Sequence, residues 1–238
     1  MRKKSVITPI CSGLAILAGS FSFIGTAQAV TLLSEDFEGV NVFGAGTYNY
    51  AQNYTMPNLL VPGGGLKFMK GGPGINGSVS TNTFTATGSP LSLLTGGITG
   101  AAIDAGSVSY NLYAQFSTYL AQNDNGTLAV QFLDVGSSPL GSLLQIGGAA
   151  FVSALGSGSN GSYTNARNWG ADSLAGIVPS GARSATIQIF EIKTAGGTAI
   201  DGYMDNVNVS IAMVPEPGTV ALLALGGGLV ALASRRRR

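Results

Sequence analysis

The sequence predicts an all-β protein, an antiparallel β-sandwich or jelly roll, from three observations. Short apolar–polar alternations dominate the middle of the chain. Long stretches with the 3.6-residue period of a helix are absent from it. Turn chemistry punctuates the alternations at Pro62-Gly-Gly-Gly65, Gly71-Gly-Pro-Gly74, Asn123-Asp-Asn-Gly126, Gly156-Ser-Gly-Ser-Asn-Gly161 and Gly196-Gly197. Many short strands at such spacing pack as two sheets face to face.

Four alternations are clear. Val108, Tyr110, Leu112, Ala114 and Phe116 share one face of a first strand. Leu128, Val130 and Phe132 share a face around Gln131, and Ala185, Ile187 and Ile189 do so around Thr186 and Gln188. Tyr203, Asp205, Val207, Val209 and Ile211 alternate with Asn206 and Asn208, which puts Asp205 on the apolar face. Residues 141–158 are apolar and glycine-rich, and a short helix fits near Ser142 to Leu155.

The two ends read differently. Arg2-Lys3-Lys4, the apolar run Val6 to Ile24 and the small-x-small triplet Ala27-Gln28-Ala29 make a signal peptide that signal peptidase cuts after Ala29. Cys11 lies inside it behind Ile10, where a lipoprotein site wants a small residue, so lipidation is not expected. Cleavage would leave a mature chain without cysteine, and hence without disulfide or thiolate chemistry. At the other end, Val214, Pro215, Glu216 and Pro217 form a stiff turn, because each proline fixes φ and disfavours helix before it. An uncharged apolar span, 218–234, follows, and Arg235, Arg236, Arg237 and Arg238 close the chain. An apolar helix ended by arginines is a membrane stop under the positive-inside rule, although short of the roughly 20 residues a bilayer core asks for. Between the tails, 30–213 is one domain's length.

The near-neutral total charge hides an acidic domain. Seven of the twelve cations lie in the tails, leaving Lys67, Lys70, Arg167, Arg183 and Lys193 against ten acids, a net charge of −5. No cluster of cations is present to follow a phosphate backbone, so nucleic acid is not an expected partner.

The order Val-Pro-Glu-Pro, apolar span, arginine cluster resembles the PEP-CTERM protein-sorting signal. That resemblance implies a Gram-negative bacterium and an exosortase that recognises the tail. It also implies transient anchoring in the inner membrane, a destination in the cell envelope or extracellular matrix, and company with exopolysaccharide and biofilm. A second resemblance touches the domain's ends. Leu33-Ser-Glu-Asp-Phe-Glu-Gly39 is similar to the opening strand of galactose-binding-like jelly rolls, common among carbohydrate-binding modules. Ile177 to Ile189 followed by Gly202-Tyr-Met-Asp-Asn-Val-Asn-Val209 is similar to their closing strands. In that family the opening acids and the closing aspartate often share a structural calcium, which here implies Asp36, Glu38 and Asp205 as Ca²⁺ ligands.

The residues themselves leave alternatives. An unpaired carboxylate on an apolar face is costly, so Asp205 needs a partner. That partner is a hard cation bound through oxygens, a turn it caps, or a pairing with Arg183 or Lys193. Tyr48, Tyr50, Tyr54, Tyr163 and Trp169 lie in segments rich in Asn, Gln and Gly. Such rings either stack on sugars, with Trp169, Arg167 and Tyr163 the chosen binding set, or fill a core with one polar end.

Catalysis is not expected. The chain has no histidine, which removes His-based triads and His metal sites. Gly72–Gly77 and Gly156–Gly161 match Gly-x-Gly-x-x-Gly by letter but read as turns. Paired carboxylates remain; Glu35, Asp36 and Glu38 crowd one strand end, and Glu191 and Asp134 read as solvated single acids. The expected function is an exported, non-enzymatic protein that binds or organises polysaccharide. The alternative is a self-associating structural surface protein with no specific sugar contact.

Overall fold

A computed structural model describes residues 29–39, 42–43, 65, 67–160, 163–194 and 196–214. Its elements in chain order are β1 (Val30–Glu35), β2 (Met69–Pro73), β3 (Ser80–Thr85), β4 (Leu91–Ser92), α1 (Gly100–Asp104), β5 (Val108–Thr118), β6 (Asn125–Leu133) and β7 (Pro139–Gly147). Then come α2 (Gly148–Ala154), β8 (Ser157–Asn160), β9 (Tyr163–Arg167), β10 (Gly170–Ile177), β11 (Ser184–Lys193) and β12 (Ala199–Met213).

Two antiparallel sheets form. The first runs β1-β12-β5-β10, with β2 also on β12; the second runs β3-β11-β6-β7, with β4 also on β11. Counting β1 with β2 and β3 with β4, the sandwich has eight strand positions. The first sheet takes positions one, eight, three and six; the second takes two, seven, four and five. That interleaving is the jelly roll, so the strand order alone assigns the fold. The β8–β9 hairpin stands as a separate two-stranded sheet.

The predicted alternations place the core. Val108, Leu112, Ala114 and Phe116 of β5 are fully buried, as are Leu128 and Val130 of β6 and Ala185, Ile187 and Ile189 of β11. They meet Val207, Val209 and Ile211 of β12 between the sheets. Burial of each large side chain stabilises the fold by about 1.5–3 kcal/mol relative to exposure.

Four details differ from the sequence reading. Gly71 and Gly72 lie in β2 and not in a turn; a Cβ on Gly71 would meet Glu191 Cβ at 2.7 Å, so the glycine makes a close approach between strands possible. Residues 157–160, expected in a turn, form β8 because they pair with β9. The helix near 142–155 occupies the second half of that stretch, α2, after β7 has run to Gly147. Glu191, read as solvated, is fully buried because β11 keeps its in–out alternation to its end.

Candidate functional site

The outer face of the first sheet carries Trp169 and Asp205, and a β-bulge in β12 sets the side of Asp205. Met204 pairs with Phe116 and Val209 with Leu112, all four in the core, yet the register shifts between Asp205 and Asn208. Asn206 holds φ at +50°, a conformation asparagine tolerates better than most residues. The extra residue reverses the alternation. Asp205 therefore pairs with Gln115 on the outer face while Val207 points into the core. This corrects the expectation that Asp205 shares a face with Val207 and Val209.

Along that face upstream of the bulge, Tyr203 packs on Phe68 with ring centroids 4.7 Å apart. Trp169, immediately before β10, stands edge-on to Phe68 at 5.7 Å and tilted over Tyr203 at 6.5 Å. Tyr119 packs on the same group. Phe68 and Tyr203 are buried and form the floor; Trp169 is half-buried. The Trp169 indole nitrogen is buried with no hydrogen-bond partner. An unmet buried donor of this kind costs about 1–3 kcal/mol. Trp169 thus fits neither of its expected roles entirely: its ring is anchored on aromatic neighbours, and its polar end is unsatisfied. At the rim, Lys70 pairs with Asp201 at 2.8 Å.

Downstream sit the acids. Asp205 is buried, and its Oδ1 accepts the Asn206 backbone N–H at 2.8 Å. The Asn206 amide, in turn, donates to Gln115 Oε1 at 2.7 Å. Burial first, then the neighbouring charges of Glu38, Asp36 and Glu35, push Asp205 up to about 7. Arg183 and Lys193, considered as its partners, are engaged elsewhere. Arg183 binds Asp104 at 2.7 Å, and the Lys193 ammonium donates to the carbonyls of Ile75 and Ser78 at 3.0 and 2.8 Å.

The other acids order the chain after β1. Glu35 accepts the backbone N–H of Phe37 at 2.7 Å and of Val42 at 2.8 Å. Asp36 accepts that of Glu38 at 3.1 Å, and Glu38 accepts that of Lys67 at 2.7 Å. Asp36, Glu38 and Asp205 therefore share one electrostatic neighbourhood. They do not form a ready cage, since among the described residues no three acidic side chains converge on one point. A calcium ion there would need backbone carbonyls and a turn of the carboxylates towards it.

Other predicted residues stand apart from this description. Tyr163 and Arg167 begin and end β9, and their side chains are outside the described residues, as are Tyr48, Tyr50 and Tyr54. Ala27, Pro215, Glu216, Pro217, the span 218–234 and Arg235 to Arg238 are also outside them. Ala29 and Val214 flank the sandwich, and the Val214 N–H donates to Ser107 O at 2.9 Å. Among the described residues no helix is long and apolar enough to cross a membrane. Sequence reasoning missed Phe68 and Tyr203 as the floor beneath Trp169. Tyr203 carried a signal only if the break at Asp205-Asn206 was seen.

No curated protein matches the chain. Among solved structures it is similar to a family 16 carbohydrate-binding module (TM-score 0.32, 14% identity, 62% of this chain and 78% of that one). It is similar to the CBM22-1–GH10 modules of Clostridium thermocellum xylanase 10B, solved with xylohexaose (TM-score 0.41, 15% identity, 76% of this chain and 28% of that one). It is also similar to a carbohydrate-binding module of Cellvibrio mixtus lichenase 5A, solved with cellotriose (TM-score 0.35, 13% identity, 78% of this chain and all of that one, 100%). At the C-terminus, residues 214–238 match the PEP-CTERM protein-sorting motif, and the chain carries that sorting segment directly behind its jelly roll.

Proposed function

We propose that this is a non-enzymatic surface protein, exported through its N-terminal signal and handed by its C-terminal segment to an exosortase. Its jelly roll binds polysaccharide on the outer face of the first sheet. The observation that carries the reading is Trp169: a half-buried indole packed on a Phe68–Tyr203 floor, with part of its ring exposed. Sugar C–H faces stack on the exposed part of such rings. Gln115 and Asn206 on the same face offer amide groups to neighbouring hydroxyls. The cell is Gram-negative, and the bound polymer is the exopolysaccharide of its own envelope or biofilm matrix. Arg167 and Tyr163 extend the binding set from the adjoining β9.

Calcium belongs to the same proposal. Asp36, Glu38 and Asp205 would hold it, and its charge would let Asp205 ionise beside its acidic neighbours.

Retention of the protein on immobilised host exopolysaccharide, for wild type and Trp169→Ala, tests the reading. The variant should keep its fold and lose retention. A folded variant that binds as wild type does would overturn the assignment of the site.

One observation favours a structural role instead. β10 ends its sheet and exposes Ala171, Ser173, Ala175 and Ile177, with neither lysine nor proline to discourage edge pairing. Concentration-dependent assembly without sugar retention would select that reading.

A further inference from the structure

The end of the sandwich beyond the core is filled by a carboxylic acid. On the inward face of β11, Ala185, Ile187 and Ile189 are followed by Glu191, all with no exposure. Both Glu191 oxygens are buried without a hydrogen-bond partner. The space for this side chain is made by glycines from three other strands. A Cβ on Gly126 of β6 would lie 2.8 Å from Oε1, and one on Gly202 of β12 would collide with Oε2. A Cβ on Gly71 of β2 would lie 2.7 Å from Glu191 Cβ. An apolar filler would pack this space at less cost than an unmet carboxyl, so packing alone does not account for the residue.

The charged groups around Glu191 and the Asn82 amide are already committed. Asp124, in the turn before β6, accepts Thr194 N–H at 2.8 Å, the Thr194 hydroxyl at 3.0 Å and Asp201 N–H at 3.1 Å. Lys193, two residues along β11, spends its ammonium on the carbonyls of Ile75 and Ser78. From β3, the Asn82 amide donates to Gly71 O at 2.7 Å and Pro73 O at 3.0 Å. From β12, Asp201 pairs with Lys70 of β2. Two acids thus share a buried space, one fully supplied with donors and the other with none. Glu191 is held uncharged, first by burial and then by the neighbouring Asp124.

We propose that Glu191 is a proton-operated latch. Protonated, it closes the end of the sandwich. When it loses its proton, a charge appears among apolar walls beside Asp124. The end then loosens, starting with residues 74–79, whose carbonyls hold Lys193, and with Thr194, which Asp124 holds.

The sign follows from linkage. A carboxyl harder to ionise in the folded state gives stability that is full below the unfolded-state range and is lost as pH rises through the folded-state range. The test is thermal and denaturant unfolding of the full-length chain across pH 5–9, for wild type and Glu191→Gln, which fills the same volume without a charge. Over the titration range, the wild-type unfolding constant should rise relative to the variant by up to about tenfold per pH unit. Hydrogen-exchange protection at 74–79 and at Thr194, taken relative to the intrinsic exchange rate at each pH, should fall as pH rises in wild type and not in the variant. Should Glu191→Gln fold poorly, Glu191→Met supplies the uncharged reference. Parallel pH curves for wild type and the uncharged variant, or protection that changes equally in both, would overturn the latch.

Discussion

Asp205 and Val207 lie two residues apart in β12 and face opposite sides of the sheet: Val207 enters the core, and Asp205 pairs with Gln115 outside it. The bulge at Asn206 thereby places a buried carboxyl on the same outer face as Trp169 and Tyr203. The proposed binding face exists because of that one extra residue.

Asp205 should make stability depend on pH. Its folded-state value is about 7 against 3.8 for the ordinary group. The folded state therefore holds the proton longer, and stability falls as pH rises from about 4 to about 7. Asp205→Asn should flatten that part of the curve, while the Glu191 contribution persists. Unfolding midpoints at pH 4, 5, 6 and 7 check this.

The aromatic cluster should divide under alanine substitution. Tyr203→Ala and Phe68→Ala remove fully buried rings and should cost about 3–5 kcal/mol of stability. Trp169→Ala should cost less, since its ring is partly exposed and its N–H is unmet. Denaturant midpoints rank the three variants. A Trp169→Ala loss equal to that of Tyr203→Ala would return Trp169 to the role of a core filler.

Gly147 tests the junction of β7 and α2. Its φ is +82°, and a Cβ would lie 2.5 Å from the Phe116 ring and 2.8 Å from Gly126 O. Gly147→Ala should destabilise by about 2–4 kcal/mol, through left-handed strain and overpacking together. Chemical denaturation measures it.

Calcium should raise the unfolding temperature of the wild type and not of Asp205→Asn, with the effect reversed by chelator. A melting temperature indifferent to both would remove the ion from the account and leave a proton on Asp205 as what relieves its neighbours.

Much of the fold was legible in the sequence because period-two alternation in β5, β6 and β11 reports burial directly. Leu112, Val130 and Ile187 sit where it placed them. It failed where backbone geometry overrides pattern. The bulge shows only as an Asp-Asn step, and the glycines at 71–72 look like a turn until the closeness of Glu191 and Ile200 is known. Glu191 was hidden for a different reason: a lone acid on an alternating strand reads as solvated unless the alternation is trusted over residue type. Trp169 and the acids could be picked out singly from their neighbours in sequence, but their shared face could not.

The most direct test uses the chain's single tryptophan. The emission of Trp169 is followed while host exopolysaccharide is titrated into the protein. A saturable shift in emission, competed by free oligosaccharides of the same polymer, is the predicted result. Unchanged emission from a folded protein that nonetheless binds the polymer would place the site elsewhere. Absence of binding altogether would contradict the polysaccharide role.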